Sequence, residues 1–103
     1  SFPTRRSSDL YITAFKNDCV AGFKYFLFKG SNQISLILRG DFHGLIRVCL
    51  DEEGKQNVAV ITVRPAVDWQ NFNASLSIPD GVHPLFLIPD GVGSLDLQTL
   101  TLK

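Results

Sequence analysis

The last third of the chain decides the fold: Val67-Asp68-Trp69-Gln70-Asn71-Phe72-Asn73-Ala74-Ser75-Leu76-Ser77-Ile78, then Pro79-Asp80-Gly81, then Val82-His83-Pro84-Leu85-Phe86-Leu87-Ile88. A second Pro89-Asp90-Gly91 follows, and the stretch closes on Gly93-Ser94-Leu95-Asp96-Leu97-Gln98-Thr99-Leu100-Thr101-Leu102. Residues 73–78 alternate: Ala74, Leu76 and Ile78 take one side and Asn73, Ser75 and Ser77 the other. That is the period of a half-buried strand. Proline presets φ and glycine accepts a positive φ, so both Pro-Asp-Gly tripeptides read as turns, without any internal duplication. Pro84 requires an edge strand or a position whose N–H is not needed. In the final run Leu95 and Leu97 are odd and Leu100 and Leu102 even, a change of phase that predicts a β-bulge near Gln98-Thr99. Trp69, just ahead of the alternating strand, is expected in a loop near the rim of the sheet.

The same alternation runs upstream. Residues 11–15 read as a short strand stopped by Asn17-Asp18. Phe23, Tyr25, Phe26 and Phe28 crowd residues 21–28, a density that favours a strand. Ile34, Leu36 and Leu38 share one face of the next run, and Ile46, Val48 and Leu50 one face of the run after the loop 40–44. Residues 51–55 form a hairpin loop with Gly54 free to take a positive φ. The continuous apolar run 58–63 predicts a central strand buried on both faces, ended by Arg64-Pro65. No segment keeps a helical period over three turns. Short strands at regular spacing with Gly and Pro turns predict an all-β chain, a β-sandwich or jelly roll.

The chain has 103 residues, enough for one domain. Ten basic and ten acidic residues give zero net charge with no charge block, which excludes the basic face that nucleic acid requires. No apolar run approaches the roughly 20 residues of a membrane span. Cys19 and Cys49 match no metal spacing; they read as two small half-buried thiols, with a disulfide as the alternative.

Catalytic chemistry is hard to find. His43 and His83 lack a second metal ligand at short spacing. Glu52-Glu53 is a carboxylate pair, but it sits in a tight hairpin loop, where neighbours point apart and serve as solvated turn charges. No nucleophile elbow or phosphate loop is present. The chain is therefore not expected to be an enzyme. Trp69 remains, either as a core side chain or as a platform on which the C–H face of a sugar stacks.

Residues 1–10, Ser-Phe-Pro-Thr-Arg-Arg-Ser-Ser-Asp-Leu, resemble the translation of a short-read sequencing adapter and are set apart as an artefactual or disordered tail that packs on nothing. Removing Arg5, Arg6 and Asp9 leaves eight basic and nine acidic groups, a net charge of −1. On this reading the domain is residues 11–103 and lacks its N-terminal strand or strands.

Trp69-Gln70-Asn71-Phe72, the alternating strand after it, Gly81-Val82-His83-Pro84-Leu85-Phe86-Leu87 and Leu95-Asp96-Leu97 together resemble the C-terminal half of carbohydrate-binding module family 6. Ala21-Gly22-Phe23-Lys24-Tyr25-Phe26 and Ile46-Arg47-Val48-Cys49-Leu50-Asp51 fit upstream, in the form that follows the catalytic domain of family 43 glycoside hydrolases. The resemblance implies a jelly roll with a sugar cleft among the loops at one end. A ring is held there between two aromatics and hydrogen-bonded by an Asn at the start of the last strand. Trp69 matches the first aromatic and Phe23 the second, usually Tyr; Ser94 falls in place of the Asn. Lys24 and Tyr25 are further polar contacts on this reading. Asp96 matches a carboxylate that helps to hold a structural calcium, whose other ligands come from an N-terminal strand, so the calcium site is incomplete and no other cofactor is implied.

Two functions follow from the resemblance. In the first, the domain is a non-catalytic module that holds an attached glycoside hydrolase on plant cell-wall polysaccharide or oligosaccharide of xylan or arabinoxylan type. In the second, it is a structural β-sandwich that packs on a family 43 catalytic domain and binds no sugar. The partners are then a glycan and the in-chain catalytic domain, with neither nucleic acid nor membrane, and the setting is extracellular or periplasmic if the parent enzyme is secreted. The two readings separate at Trp69: an indole facing Phe23 across an open cleft supports the first, and an indole buried under side chains the second.

Overall fold

The computed structural model describes residues 7–30 and 32–103, with side chains other than those of 7–11, 24 and 25. Eight strands follow in order: β1 Ser7–Lys16, β2 Ala21–Phe28, β3 Gln33–Gly40, β4 His43–Cys49, β5 Asn57–Val63, β6 Ala66–Ser75, β7 Gly81–Val92 and β8 Ser94–Leu102. They form two four-stranded sheets, in the orders β1-β8-β3-β6 and β2-β7-β4-β5, and every pairing is antiparallel. The chain is the all-β sandwich that the alternation predicts.

The inward phases meet in one core. Ile34, Leu36 and Leu38 of β3, Ile46 and Val48 of β4, Leu85 and Leu87 of β7 and all four leucines of β8 are buried, with Phe26 and Phe28 closing the β2 side. Each such side chain contributes about 1.5–3 kcal/mol by leaving water. The bulge in β8 falls where the phase change puts it. Ile37 pairs with Thr99 and Leu38 with Leu97, so Gln98 is the extra residue and both leucine pairs face inward. Phe42 is fully buried in the β3–β4 link.

Four expectations are corrected. Residues 58–63 are not a central strand: β5 is the edge of its sheet, with Ala59, Ile61 and Val63 buried and Val60 and Thr62 exposed. A run of β-branched residues satisfies an edge as well as a centre. Trp69 lies inside β6, which starts at Ala66 immediately after Pro65. The second Pro-Asp-Gly is no turn. Residues 89–91 continue β7 and pair with Ile46, Leu45 and Gly44. Gly91 N–H donates to Asn17 Oδ1 (2.8 Å) on the side away from β4, so the missing donor of Pro89, two residues earlier, falls on that same side, beyond the last β2 pair at Ala21–Leu87.

Finally, residues 7–10 of the presumed tail form the start of β1: Ser7, Ser8 and Asp9 stand opposite Thr101, Leu100 and Thr99. An edge of β8 offers main-chain donors and acceptors that any extended backbone satisfies. Residues 1–6 lie outside the described residues. Pro84, by contrast, meets its second alternative, since β7 is an interior strand whose register against β2 breaks between Leu85 and His83, leaving no ladder bond to lose.

Candidate functional site

One end of the sandwich gathers the links β1–β2, β3–β4, β5–β6 and β7–β8, and the pairing there carries the site. β3 and β6 pair as Leu38–Gln70 and then Gly40–Ala66, so Arg39 alone faces Val67, Asp68 and Trp69. This wide irregularity gives Arg39 and Trp69 room on the outer face of the sheet. The Arg39 guanidinium carbon lies 4.3 Å from the centroid of the Trp69 ring. On its other flank Arg39 is paired in register with Asp96 of β8, and its Nε is 3.7 Å from Asp96 Oδ2. Both side chains are about one-third exposed, so the ion pair contributes at most about 1 kcal/mol; the cation–π contact contributes a further ~0.5–1 kcal/mol.

Beside this triad is a depression of about 410 Å³. Pro65, Ala66 and Val67 make an apolar wall, and Arg39, Asp41 and Asp96 supply charged groups. Asp41 is fixed at its rim because Asp41 Oδ1 accepts the N–H of Ser94 (2.9 Å). Gly93, with φ 87°, permits that closure: a Cβ there would come within 2.8 Å of the same Asp41 oxygen.

The expected site residues divide. Trp69, Ser94 and Asp96 come together at this end of the β1-β8-β3-β6 sheet. Phe23 is carried by β2 of the other sheet. It is half-buried in β2, packed on the core and edge-on to Phe26 at 6.4 Å between centroids. β2 and β5 are opposite edges of one sheet, and Trp69 is carried by β6 beside β5. The side chains of Lys24 and Tyr25 lie outside the described residues.

Asp96 Oδ1 accepts the N–H of Ala14 (3.3 Å), so both carboxylate oxygens have protein partners. With a guanidinium beside it, and no cluster of three His, Cys, Asp or Glu among the described residues, this donor set does not fit a calcium ion, which takes six to eight oxygens. Glu52 and Glu53 are in the β4–β5 hairpin at the far end of the sandwich, where Glu53 pairs with Lys55 at 2.8 Å in solvent. Cys19 and Cys49 are both free thiols. Arg39 and Asp41, which shape the depression, carry no signal in the sequence; only strand register brings Arg39 to Trp69 and Asp96.

No family model matches the chain. A xylosidase/arabinosidase of Thermoclostridium stercorarium is 37% identical over 92 residues, which is 89% of this chain and 19% of that protein. The chain thus spans about a fifth of the curated relative it matches. Among solved structures, a family 6 carbohydrate-binding module of Clostridium stercorarium in complex with cellobiose superposes with a TM-score of 0.79 at 14% identity, covering 95% of this chain and 82% of the other. A family 6 module of Clostridium cellulolyticum in complex with xylose gives 0.75 at 14% identity, over 92% and 88% of the two chains. A family 43 arabinoxylan arabinofuranohydrolase of Bacillus subtilis gives 0.78 at 17% identity, over 92% of this chain and 21% of the enzyme. The chain has the fold of the family 6 carbohydrate-binding modules, in the form also carried by a family 43 glycoside hydrolase.

Proposed function

We propose that this domain is a non-catalytic carbohydrate-binding module that holds an attached glycoside hydrolase on plant cell-wall polysaccharide of xylan or arabinoxylan type. The observation that carries the reading is the depression next to Trp69. Its apolar wall and the polar groups of Arg39, Asp41 and Asp96 lie together at one end of the sandwich, and Arg39 connects it to the Trp69 indole. A sugar ring has the same division of surface, with C–H faces for the wall and hydroxyls for the charged groups. The choice of glycan rests on the relatives: one is a xylosidase/arabinosidase and one acts on arabinoxylan. Affinity electrophoresis in gels containing xylan or arabinoxylan tests it. Retardation of the wild type is expected, with loss of most of it in Trp69→Ala and Asp41→Ala. Equal mobility of all three proteins with and without glycan overturns the reading.

A second reading has its own support. Val67, Val92 and Val20 are 94%, 68% and 45% exposed, and all three belong to the same end of the sandwich. Apolar side chains gathered there suit packing against a catalytic domain in the longer protein, without sugar binding. The gel distinguishes the two, since this reading expects no retardation by any glycan.

A further inference from the structure

Arg39 covers one face of the Trp69 ring. Its guanidinium is 4.3 Å from the ring centroid, in the layer that the C–H face of a stacked sugar would occupy. It is held there from the far side by Asp96, which is itself anchored by the amide of Ala14. We propose that Arg39 is a specificity-determining lid: it covers one face of the Trp69 platform, and a glycan binds by displacing it. This inference rests on the sugar-binding reading of Trp69.

The chemistry of the lid sets the class of ligand. Asp41 and Asp96 border the opening, so a displaced Arg39 keeps carboxylates within reach, and an anionic sugar meets two like charges. A neutral chain of pentoses or hexoses meets neither difficulty, and its hydroxyls can bond to both carboxylates and to the displaced guanidinium. Covering the platform weakens binding, because the cation–π contact and the exposed ion pair both have to break first. Both contacts are weak, so removing the lid tightens binding by roughly three- to tenfold.

Trp69 is the only tryptophan in the chain, so its fluorescence reports the lid directly. The experiment compares wild type, Arg39→Ala, Trp69→Ala and the double variant. Xylohexaose and cellohexaose are titrated by calorimetry, and acrylamide quenching is measured on the two proteins that retain Trp69, wild type and Arg39→Ala. Arg39→Ala is expected to bind three- to tenfold tighter than wild type and to quench more readily. Trp69→Ala is expected to bind more weakly, and adding Arg39→Ala to it to restore nothing. Arg39→Gln, which keeps most of the stem and drops the charge, gives the same direction and replaces Arg39→Ala if that variant melts early. If Arg39→Ala binds equally or more weakly while Trp69→Ala still loses affinity, the lid is overturned and the sugar site stands. If neither oligosaccharide binds any of the proteins, the sugar reading falls and the lid with it.

Discussion

Gly44 and Gly91 stand opposite each other in the β4–β7 ladder. Gly44 has φ 152°, and a Cβ built on it would lie 2.5 Å from the carbonyl oxygen of Asp90. The obstacle is backbone inside a ladder, which cannot move aside as a side-chain tip can. Gly44→Ala therefore combines an unfavourable φ with a steric conflict and is expected to destabilise the domain by about 2–4 kcal/mol. Urea unfolding of the variant measures this; a change under 0.5 kcal/mol, the range of neutral surface substitutions, refutes it. Nothing in the residues around Gly44 signals this role, because the conflict is with Asp90, nearly half the chain away. Trp69 is different: as the single tryptophan it draws attention unaided, while the partner on its face, Arg39, is an ordinary strand-end charge until the register is known. Buried Cys49 is likewise silent in sequence, and burial pushes its thiol up, which keeps it protonated and unreactive at neutral pH.

Strands with a single clean phase were legible element by element. β3 alternates without interruption, and β8 announces its own bulge by shifting its leucines from odd to even positions. The elements that resisted were those whose local chemistry serves two structures. The run 58–63 is equally compatible with a strand covered on both faces and with the edge strand it forms, and Pro-Asp-Gly at 89–91 has every turn preference yet continues β7 because Gly91 can press against Gly44. The β4–β5 hairpin is legible from its Gly54, with φ 79°, but its anchor is not. Asp51 accepts the N–H groups of Gln56 (2.7 Å) and Lys55 (2.9 Å) across the turn. The Gln56 amide first, then that of Lys55, holds the Asp51 carboxyl below its ordinary value. A folded pKa below the unfolded value of about 3.9 means that Asp51 adds stability above that value, lost as pH falls through the lower folded one. Asp51→Asn is accordingly expected to lower the melting temperature at pH 7, with the gap from wild type closing as the pH falls below the ordinary carboxylate range. A gap that stays constant from pH 7 to pH 2.5 in thermal melts counts against the carboxylate as the cause.

At the scale of the whole molecule, the sandwich depends on pairings between distant parts of the chain, and this is what a linear reading could not assemble. The clearest case is the first sheet, in which β8 lies between β1 and β3, so the two ends of the chain support each other. Residues 7–9 contribute to it through backbone alone: they stand opposite Thr101, Leu100 and Thr99 as the outermost part of the β1–β8 ladder. Their adapter-like sequence is a property of side chains, whereas the ladder uses main-chain N–H and C=O groups. The two can be separated experimentally. Replacing Ser7, Ser8 and Asp9 by three threonines keeps every main-chain group and adds strand preference, so the melting temperature is expected to stay within a few degrees, the equivalent of under 1 kcal/mol in a domain of this size. Deleting residues 1–9 removes the same pairing and leaves the Thr99–Thr101 edge of β8 open. An open edge both lowers stability and templates contact with another chain. The deletion is therefore expected to melt several degrees lower and to scatter light increasingly with protein concentration. If deletion and replacement behave alike, β8 does not need the cover, and the sheet is closed by the residues from Ile12 onward.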